Sequence, residues 1–354
     1  MSDERERPGL IRGRGAALNP PNRFDTIHVE KDPEAQEDES APRTDYLRDV
    51  SRTIIARNDS PDVGFERSVN PYRGCLHGCS YCFARPTHEY LGFSAGLDFE
   101  TKILVKENAA ELLREELSSP RWRPQPVAIS GVTDAYQPVE RRLGITRRCL
   151  EVLAEFRNPV IIVTKNHLVA RDADLLGELA RHRAAAVFVS ITSLVQELQR
   201  VLEPRASTPA RRLEAIAALA SAGVPVGVLV APIIPGLTDH EIPAVVDAAV
   251  RAGAKFAGHV PLRLPWAVKE IFERWLEDHF PERKEKILGR VRSLRGGRLN
   301  DPRYGSRMEG EGPYAEEIHR LFDLACRRAG LDGKPELSTA AFRRPDGPQL
   351  ALFR

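Results

Sequence analysis

The sequence predicts an α/β fold with a parallel sheet. Three observations predict it: short apolar runs such as Val127-Ala-Ile-Ser130 and Val160-Ile-Ile-Val163, helix-spaced stretches of about 10–15 residues between them, and Gly or Pro at the joins. Strands that alternate with helices are joined by right-handed crossovers and therefore lie parallel. Counting a strand just before the first cysteine cluster, there are six βα units. Six units suit either an open doubly wound sheet or an incomplete barrel, and periodicity does not separate the two.

The elements follow in order. Lys102-Ile-Leu-Val-Lys106 reads as a short strand or the approach to a helix, and 107–118 as that helix, with Leu112, Leu113 and Leu117 at helical spacing. Val127–Ser130 is a buried strand and 145–156 a helix. Val160–Val163 is a strand, followed by a helix over 172–182 with Asp172 as its cap and Leu175, Leu176 and Leu179 on one face. Ala186–Ser190 is a strand. Ser207-Thr208-Pro209 then starts a helix whose stripe is Leu213, Ile216, Ala217 and Ala220 and whose stop is Gly223. Val226–Val230 is a strand, 239–252 a helix ended by Gly253, and Lys255–Val260 the last clear strand. Helices over 266–279 and 314–328 close the chain.

With 354 residues and 42% hydrophobic residues the chain can bury a large core, which excludes wholesale disorder. A formal charge of +2 gives no global attraction to nucleic acid or anionic membrane. No run of about 18 apolar residues exists to cross a bilayer, and the amino terminus MSDERERPGL has no apolar core for secretion. A cytoplasmic protein fits best. Three regions are expected: a disordered tail over 1–52, with six carboxylates between Glu30 and Glu39; a core over 53–265; and a helical extension over 266–354. Residues 282–307 hold nine Lys/Arg against three acids, including Arg290, Arg292, Arg295, Arg298, Arg303 and Arg307 around Tyr304. They read as a solvated basic surface, with a phosphate-contacting patch for DNA or RNA as the functional alternative.

The chemistry concentrates in Gly74-Cys75-Leu-His-Gly-Cys79-Ser-Tyr-Cys82, three of the five cysteines within eight residues. Thiols spaced C-x3-C-x2-C on one loop face one centre only by wrapping a metal or cluster. Structural zinc usually takes four ligands in two separated pairs, and there is no second pair: Cys149 and Cys326 sit alone on helical stripes. A four-iron cube held by three cysteines keeps one iron open to a small molecule. A Cys3His zinc site drawing on His77 or His88, used as a nucleic-acid-binding knuckle, is the alternative, and an inactive scaffold a third reading.

Cys75-x3-Cys79-x-Tyr81-Cys82 resembles the signature of the radical S-adenosylmethionine (SAM) superfamily, with an aromatic before the last cysteine. Within it the chain looks closest to the spore photoproduct lyase group, through Asn70-Pro-Tyr-Arg-Gly-Cys75, Thr133-Asp134, Val163-Thr-Lys-Asn-His167, Phe188-Val-Ser-Ile-Thr192, Glu203-Pro204 and Gly227-Val-Leu-Val-Ala-Pro232. The resemblance covers about residues 66–265 and implies an incomplete (βα)6 barrel with a [4Fe–4S] cluster on Cys75, Cys79 and Cys82. It implies reductive cleavage of SAM and hydrogen abstraction by the 5′-deoxyadenosyl radical, with a one-electron reductant such as flavodoxin or ferredoxin as partner. It further implies that Thr133 and Asp134, after the second strand, bind the SAM amino group, that Lys165 after the third pairs with its carboxylate, and that Ser190 on the fourth bonds the ribose. Ala231 ending the fifth would meet the adenine, with Tyr81 nearby. Arg205, which the lyase pattern lacks, is placed to help with the carboxylate charge. These residues share the carboxyl ends of the strands, where such folds gather ligand groups. Glu140 and His167, near the same rim, are candidate substrate contacts. The lyase pattern also has a cysteine before its Thr-Ser-Asp and a tyrosine after the last cluster cysteine. Here Gly131-Val132 and Phe83 stand instead, which argues against thymine-dimer reversal.

Overall fold

Ten strands organise the described residues: β1 (Asp45–Arg48), β2 (Ile55–Arg57), β3 (Arg67–Val69), β4 (Tyr72–Arg73), β5 (Lys102–Val105), β6 (Val127–Ile129), β7 (Val160–Thr164), β8 (Ala185–Ser190), β9 (Val226–Ile233) and β10 (Phe256–Pro261). The computed structural model describes residues 11–24, 42–331, 333 and 335–345. Seven strands form one sheet in the order β10-β9-β8-β7-β6-β3-β2. All neighbours pair in parallel except β2, which adds antiparallel to β3. A doubly wound sheet reverses its strand order at a switch point. Here the six parallel strands run in sequence order without reversal and β3 does not meet β10, so the fold is an incomplete (βα)6 barrel.

The residues explain the winding. Val127, Ile129, Val160, Ile162, Val187, Val189, Val226 and Val228 are fully buried. They join one core with helix residues Leu113, Leu153, Leu176, Leu219 and Val246. Strands whose buried side packs on crossover helices read as near-continuous apolar runs, and their β-branched side chains suit the pleat. The helix over Pro209–Ser221 starts where expected: Thr208 accepts from Arg211 N, and Pro209 takes the first turn. Asp172 does not cap its helix. Its carboxylate instead accepts from Arg147 at 3.0 Å and Arg171 at 2.8 Å.

Three expectations change. Residues 11–24 and 42–52 are not an unfolded tail. β1 pairs in parallel with β5 in a small second sheet, β1-β5-β4, outside the barrel. Residues 11–24 form a strap against the cysteine loop: Gly15 N and Ala16 N donate to the buried Glu100 carboxylate at 3.1 and 2.9 Å, and Arg14 Nη1 donates to Glu100 O at 2.9 Å. Apolar period misses such a segment because backbone and polar bonds, not an apolar face, hold it. The acidic run 30–39 lies outside the described residues.

The carboxyl-terminal extension is likewise no appendage. Phe272, Trp275 and Leu276 share a cluster with Cys79 and Tyr81, while Ala315, Ile318 and Phe322 join the barrel core. The basic segment is mostly committed internally. Arg295 is 2% exposed and donates to the carbonyls of Leu262 and Ser306 at 2.8 and 2.7 Å. Arg303 pairs with Asp301, Arg307 with Asp62, and Arg292 with Glu285. Arg290 lies over the Tyr314 ring. Of the six, Arg298 and Arg303 are exposed and Arg290 and Arg292 half-buried, so a phosphate-contacting patch would rest on these four, with Arg295 and Arg307 committed inward.

The extension docks on β10 through a histidine pair, with His259 Nε2 2.9 Å from His319 Nδ1 and the His259 ring 4.2 Å from that of Phe322. Burial, and then His319, depress the His259 pKa to about 4, against a smaller opposing effect of Asp323. A depressed pKa means that stability is full above the unfolded value near 6.5 and is lost as pH falls toward about 4. Thermal melts should therefore drop across that window, and His259→Phe should flatten the drop. An unchanged profile in the variant would assign the loss to other groups.

Candidate functional site

The cysteine loop follows β3 and lies over the carboxyl mouth of the barrel. Two glycines at positive φ, Gly74 (+80°) and Gly78 (+66°), let it turn tightly. Its backbone is pinned from several elements: Cys75 N donates to Phe99 O at 2.9 Å, Ser80 N to Leu202 O at 3.1 Å, and Leu76 N to Gln137 Oε1 at 2.9 Å. Thr133 Oγ1 and Gln137 Nε2 donate to Gly74 O at 2.6 and 3.2 Å. On the outer side, a Cβ on Gly15 of the strap would lie 1.6 Å from Gly78 O, so only glycine allows that approach. Arg205, expected beside a carboxylate, is exposed and donates to Gly13 O at 2.9 Å, clamping the strap.

Cys75 and Cys79 are buried and Cys82 half-buried. Burial, and then the negative charges of Glu203 and the neighbouring cysteines, push the Cys79 thiol up, with Lys165 pulling the other way. Burial, then Cys75, raises Cys82 to about 11, with Arg85 and Lys165 opposing. A cation is what converts such thiols to thiolates, and buried Arg85 and nearby Lys165 suit the net negative charge of a thiolate-held cluster. The loop thus fits an iron–sulfur cluster. A lone zinc ion would need a fourth ligand beside the three thiols, from His77 or His88. Both candidate histidines are engaged. His77 Nδ1 lies 3.3 Å from Asp134 and its Nε2 3.0 Å from Asn166 Nδ2. His88 Nε2 bonds Lys102 O at 2.9 Å. Burial alone would depress His77, but Asp134 and Cys75 outweigh it and raise its pKa; Nε2 faces the Asn166 amide N–H as acceptor, which leaves the proton on Nδ1 to be donated to Asp134.

The predicted residues gather at one end of the sheet. Thr133 braces Gly74. Asp134 is held by Lys165 N and Thr164 Oγ1, both donating at 2.8 Å. Lys165 Nζ donates to Ala231 O at 2.9 Å and lies 5.7 Å from the Tyr81 ring centroid. Ser190, 3% exposed, ends β8. Ala231 lies two residues inside β9 rather than at its end. Glu140 is no rim contact: it is fully buried, bonded by Tyr72 Oη at 2.5 Å and Arg171 at 2.8 Å. His167 packs at the surface beside Arg211 and Glu214, and Cys149 is helix packing, as expected.

Sequence reasoning missed the network beneath the site. Glu203, fully buried, accepts from Tyr81 Oη, from Thr192 Oγ1 at 2.7 Å and from Arg212, and lies 3.3 Å from Lys165 Nζ. Burial would raise its pKa, but Arg212 and Lys165 overcome that and hold the carboxyl far below the usual range. Arg212 lies on the helix over Pro209–Ser221 and is 1% exposed. The available signal was a charged residue one position before the apolar stripe.

An incomplete parallel barrel with a three-thiol loop at its carboxyl mouth and a lysine beneath defines a class of cluster-bearing α/β enzymes. Comparison with known proteins specifies it. The radical SAM superfamily model matches residues 69–249. An uncharacterised protein of Mycobacterium tuberculosis is 40% identical over 243 residues, 68% of this chain and 70% of the relative, and one of Methanocaldococcus jannaschii is 28% identical over 66% of this chain and 84% of its own length. A spore photoproduct lyase variant solved with AdoMet and dinucleoside spore photoproduct superposes with a TM-score of 0.56 at 16% identity, covering 80% of this chain and 78% of that one, and shares the fold. The chain belongs to the radical SAM superfamily, whose enzymes use a [4Fe–4S] cluster and SAM. No helix among the described residues is long and apolar enough to cross a membrane.

Proposed function

We propose that Cys75, Cys79 and Cys82 hold a [4Fe–4S] cluster whose fourth iron takes SAM, and that one-electron cleavage of SAM there supplies the 5′-deoxyadenosyl radical that removes hydrogen from an organic substrate. The observation that carries this reading is the placement of three thiols, two buried and one half-buried, on one pinned loop beside Lys165, Ser190 and Ala231, which lie at or near the carboxyl ends of three successive strands. Lys165, its side chain 16% exposed, exchanges the Ala231 carbonyl for the SAM carboxylate. Thr133 and Asp134 present oxygens on the side of the SAM amino group. Ser190 lies toward the ribose, and Ala231 and Tyr81 toward the adenine. Tyr81, 6% exposed and tied to Glu203, keeps one wall of the pocket dry and fixed. An external one-electron donor such as flavodoxin or ferredoxin feeds the site. With Gly131-Val132 and Phe83 where the lyase pattern has hydrogen donors, the substrate is one other than a thymine dimer.

The test is anaerobic reconstitution followed by electron-spin resonance of the reduced protein with and without SAM. The expected result is a spectrum that shifts on adding SAM and 5′-deoxyadenosine among the products. A spectrum indifferent to SAM overturns the reading.

A further inference from the structure

Arg263 follows β10 by two residues, at the carboxyl side of the sheet's last strand. Its guanidinium lies 5.4 Å from the centroid of the Phe83 ring, and Phe83 directly follows Cys82. Because β3 and β10 are the first and last parallel strands of an unclosed barrel, this contact reaches across the mouth beside the cysteine loop. Phe83 is 52% exposed there.

Among the described residues Arg263 has no acceptor of full strength. Its Nη1 approaches only the Met308 thioether, at 3.2 Å, and its buried Nε has no partner. The cations beside it are already committed. Arg295 donates to four carbonyls, those of Pro261, Leu262, Ser306 and Arg307. Arg307 holds Asp62, the carboxylate nearest Arg263, and Asp62 also accepts from Gly305 N. Two guanidinium groups, those of Arg307 and Arg263, thus face one carboxylate, and Arg263 is the one left over. Burial, and then Arg307, lower its pKa, while Asp62 raises it less. A half-buried guanidinium without an acceptor is costly unless a ligand supplies one.

We propose that Arg263 is an oxyanion subsite: the substrate presents a carboxylate or phosphate to its guanidinium and lays an apolar face on Phe83. The proposal rests on the radical SAM reading, since it takes the mouth beside Cys82 as the place where substrate sits. It assigns the anion to the substrate and not to SAM, because Lys165, on β7 across the sheet, is the residue placed for the SAM carboxylate. Guanidinium pairs in a fork with either oxyanion, and a ring face beside it selects a planar neighbour.

The test is calorimetric binding of phenyl phosphate, benzoate and the neutral benzyl alcohol to the reconstituted full chain saturated with SAM. At least one anion should bind more tightly than the alcohol, and Arg263→Gln should weaken it by about tenfold or more, with Arg263→Lys between the two. Preference for phenyl phosphate or for benzoate identifies which oxyanion the site takes. Phe83→Ala should weaken phenyl phosphate and leave inorganic phosphate unchanged, which tests the site even if Arg263→Gln fails to fold. The proposal is overturned if neither anion outbinds the alcohol, if Arg263→Gln binds as tightly as the parent, or if it weakens SAM by the same factor. Iron content and the SAM-dependent spectrum, read on the same samples, fail separately if the cluster reading is the one at fault.

Discussion

Cys79→Ala is expected to lose its iron and acid-labile sulfide by about tenfold or more on anaerobic reconstitution, and SAM cleavage with them. The size follows from the ligand count. Removing a hydrogen-bond partner behind a metal ligand already costs about 10–100-fold in affinity, and Cys79 is itself one of only three thiols in reach of the site. No spare ligand stands by: His77 is paired with Asp134 and Asn166, and His88 with the Lys102 carbonyl. Cys149→Ala is the control. That thiol is fully buried among helix side chains, where burial raises its pKa to about 12, and it has no path to the loop. Iron retained by Cys79→Ala, or lost equally by Cys149→Ala, would remove the ligand assignment.

The barrel was legible because its strands are buried against crossover helices and so appear as apolar runs at regular spacing. Periodicity left open how those strands are wound; the sequential order from β3 to β10 settles it. What the pattern could not reveal was structure held by polar and backbone bonds. The strap at 11–24 depends on Glu100, more than eighty residues away in sequence, and on Arg205, 192 residues from its acceptor Gly13. Neither partner has any local signature. The basic segment shows the opposite case: its composition looked like a surface for phosphates, yet Arg295 is buried on carbonyls and Arg307 on Asp62. Charge counted along a sequence does not show which charges are already paired.

The site divides the same way. The positions of the cysteine loop, Lys165, Ser190 and the Thr133-Asp134 pair at one end of the sheet were readable because each ends a recognisable strand or motif. The braces behind them, Gln137 on the Gly74 carbonyl and Asn166 on His77, are ordinary polar residues on loops. Asp134 illustrates how the two sets merge, since the carboxylate proposed for a SAM amino group already anchors His77 and the Lys165 backbone. Docking SAM there requires a share of those bonds, not an idle carboxylate.

Glu203→Gln is expected to destabilise the fold by about 3–5 kcal/mol, the usual cost of removing one partner from a buried ion pair. Glu203 is fully buried and Arg212 1% exposed, so solvent does not screen the loss. The amide keeps the volume, which excludes a cavity as the cause. It leaves the Arg212 guanidinium uncompensated and turns an acceptor-only group, facing Tyr81 and Thr192 hydroxyls and the Lys165 ammonium, into one that also donates. Arg212→Met alone should cost a comparable amount by removing the main partner of Glu203, while the double variant Glu203→Gln/Arg212→Met should recover part of the loss, because neither the buried guanidinium nor the buried carboxylate is then left without its partner. The pH dependence has a definite sign. A carboxyl held below its unfolded pKa contributes stability above that value and loses it as pH falls, so the parent should weaken on acidification below about pH 4 and Glu203→Gln should lack that component. Denaturant melts of the four proteins at two pH values decide it. Strict additivity of the two substitutions would mean that the pair is not coupled, and Tyr81 would then owe its position beside the cluster to packing alone.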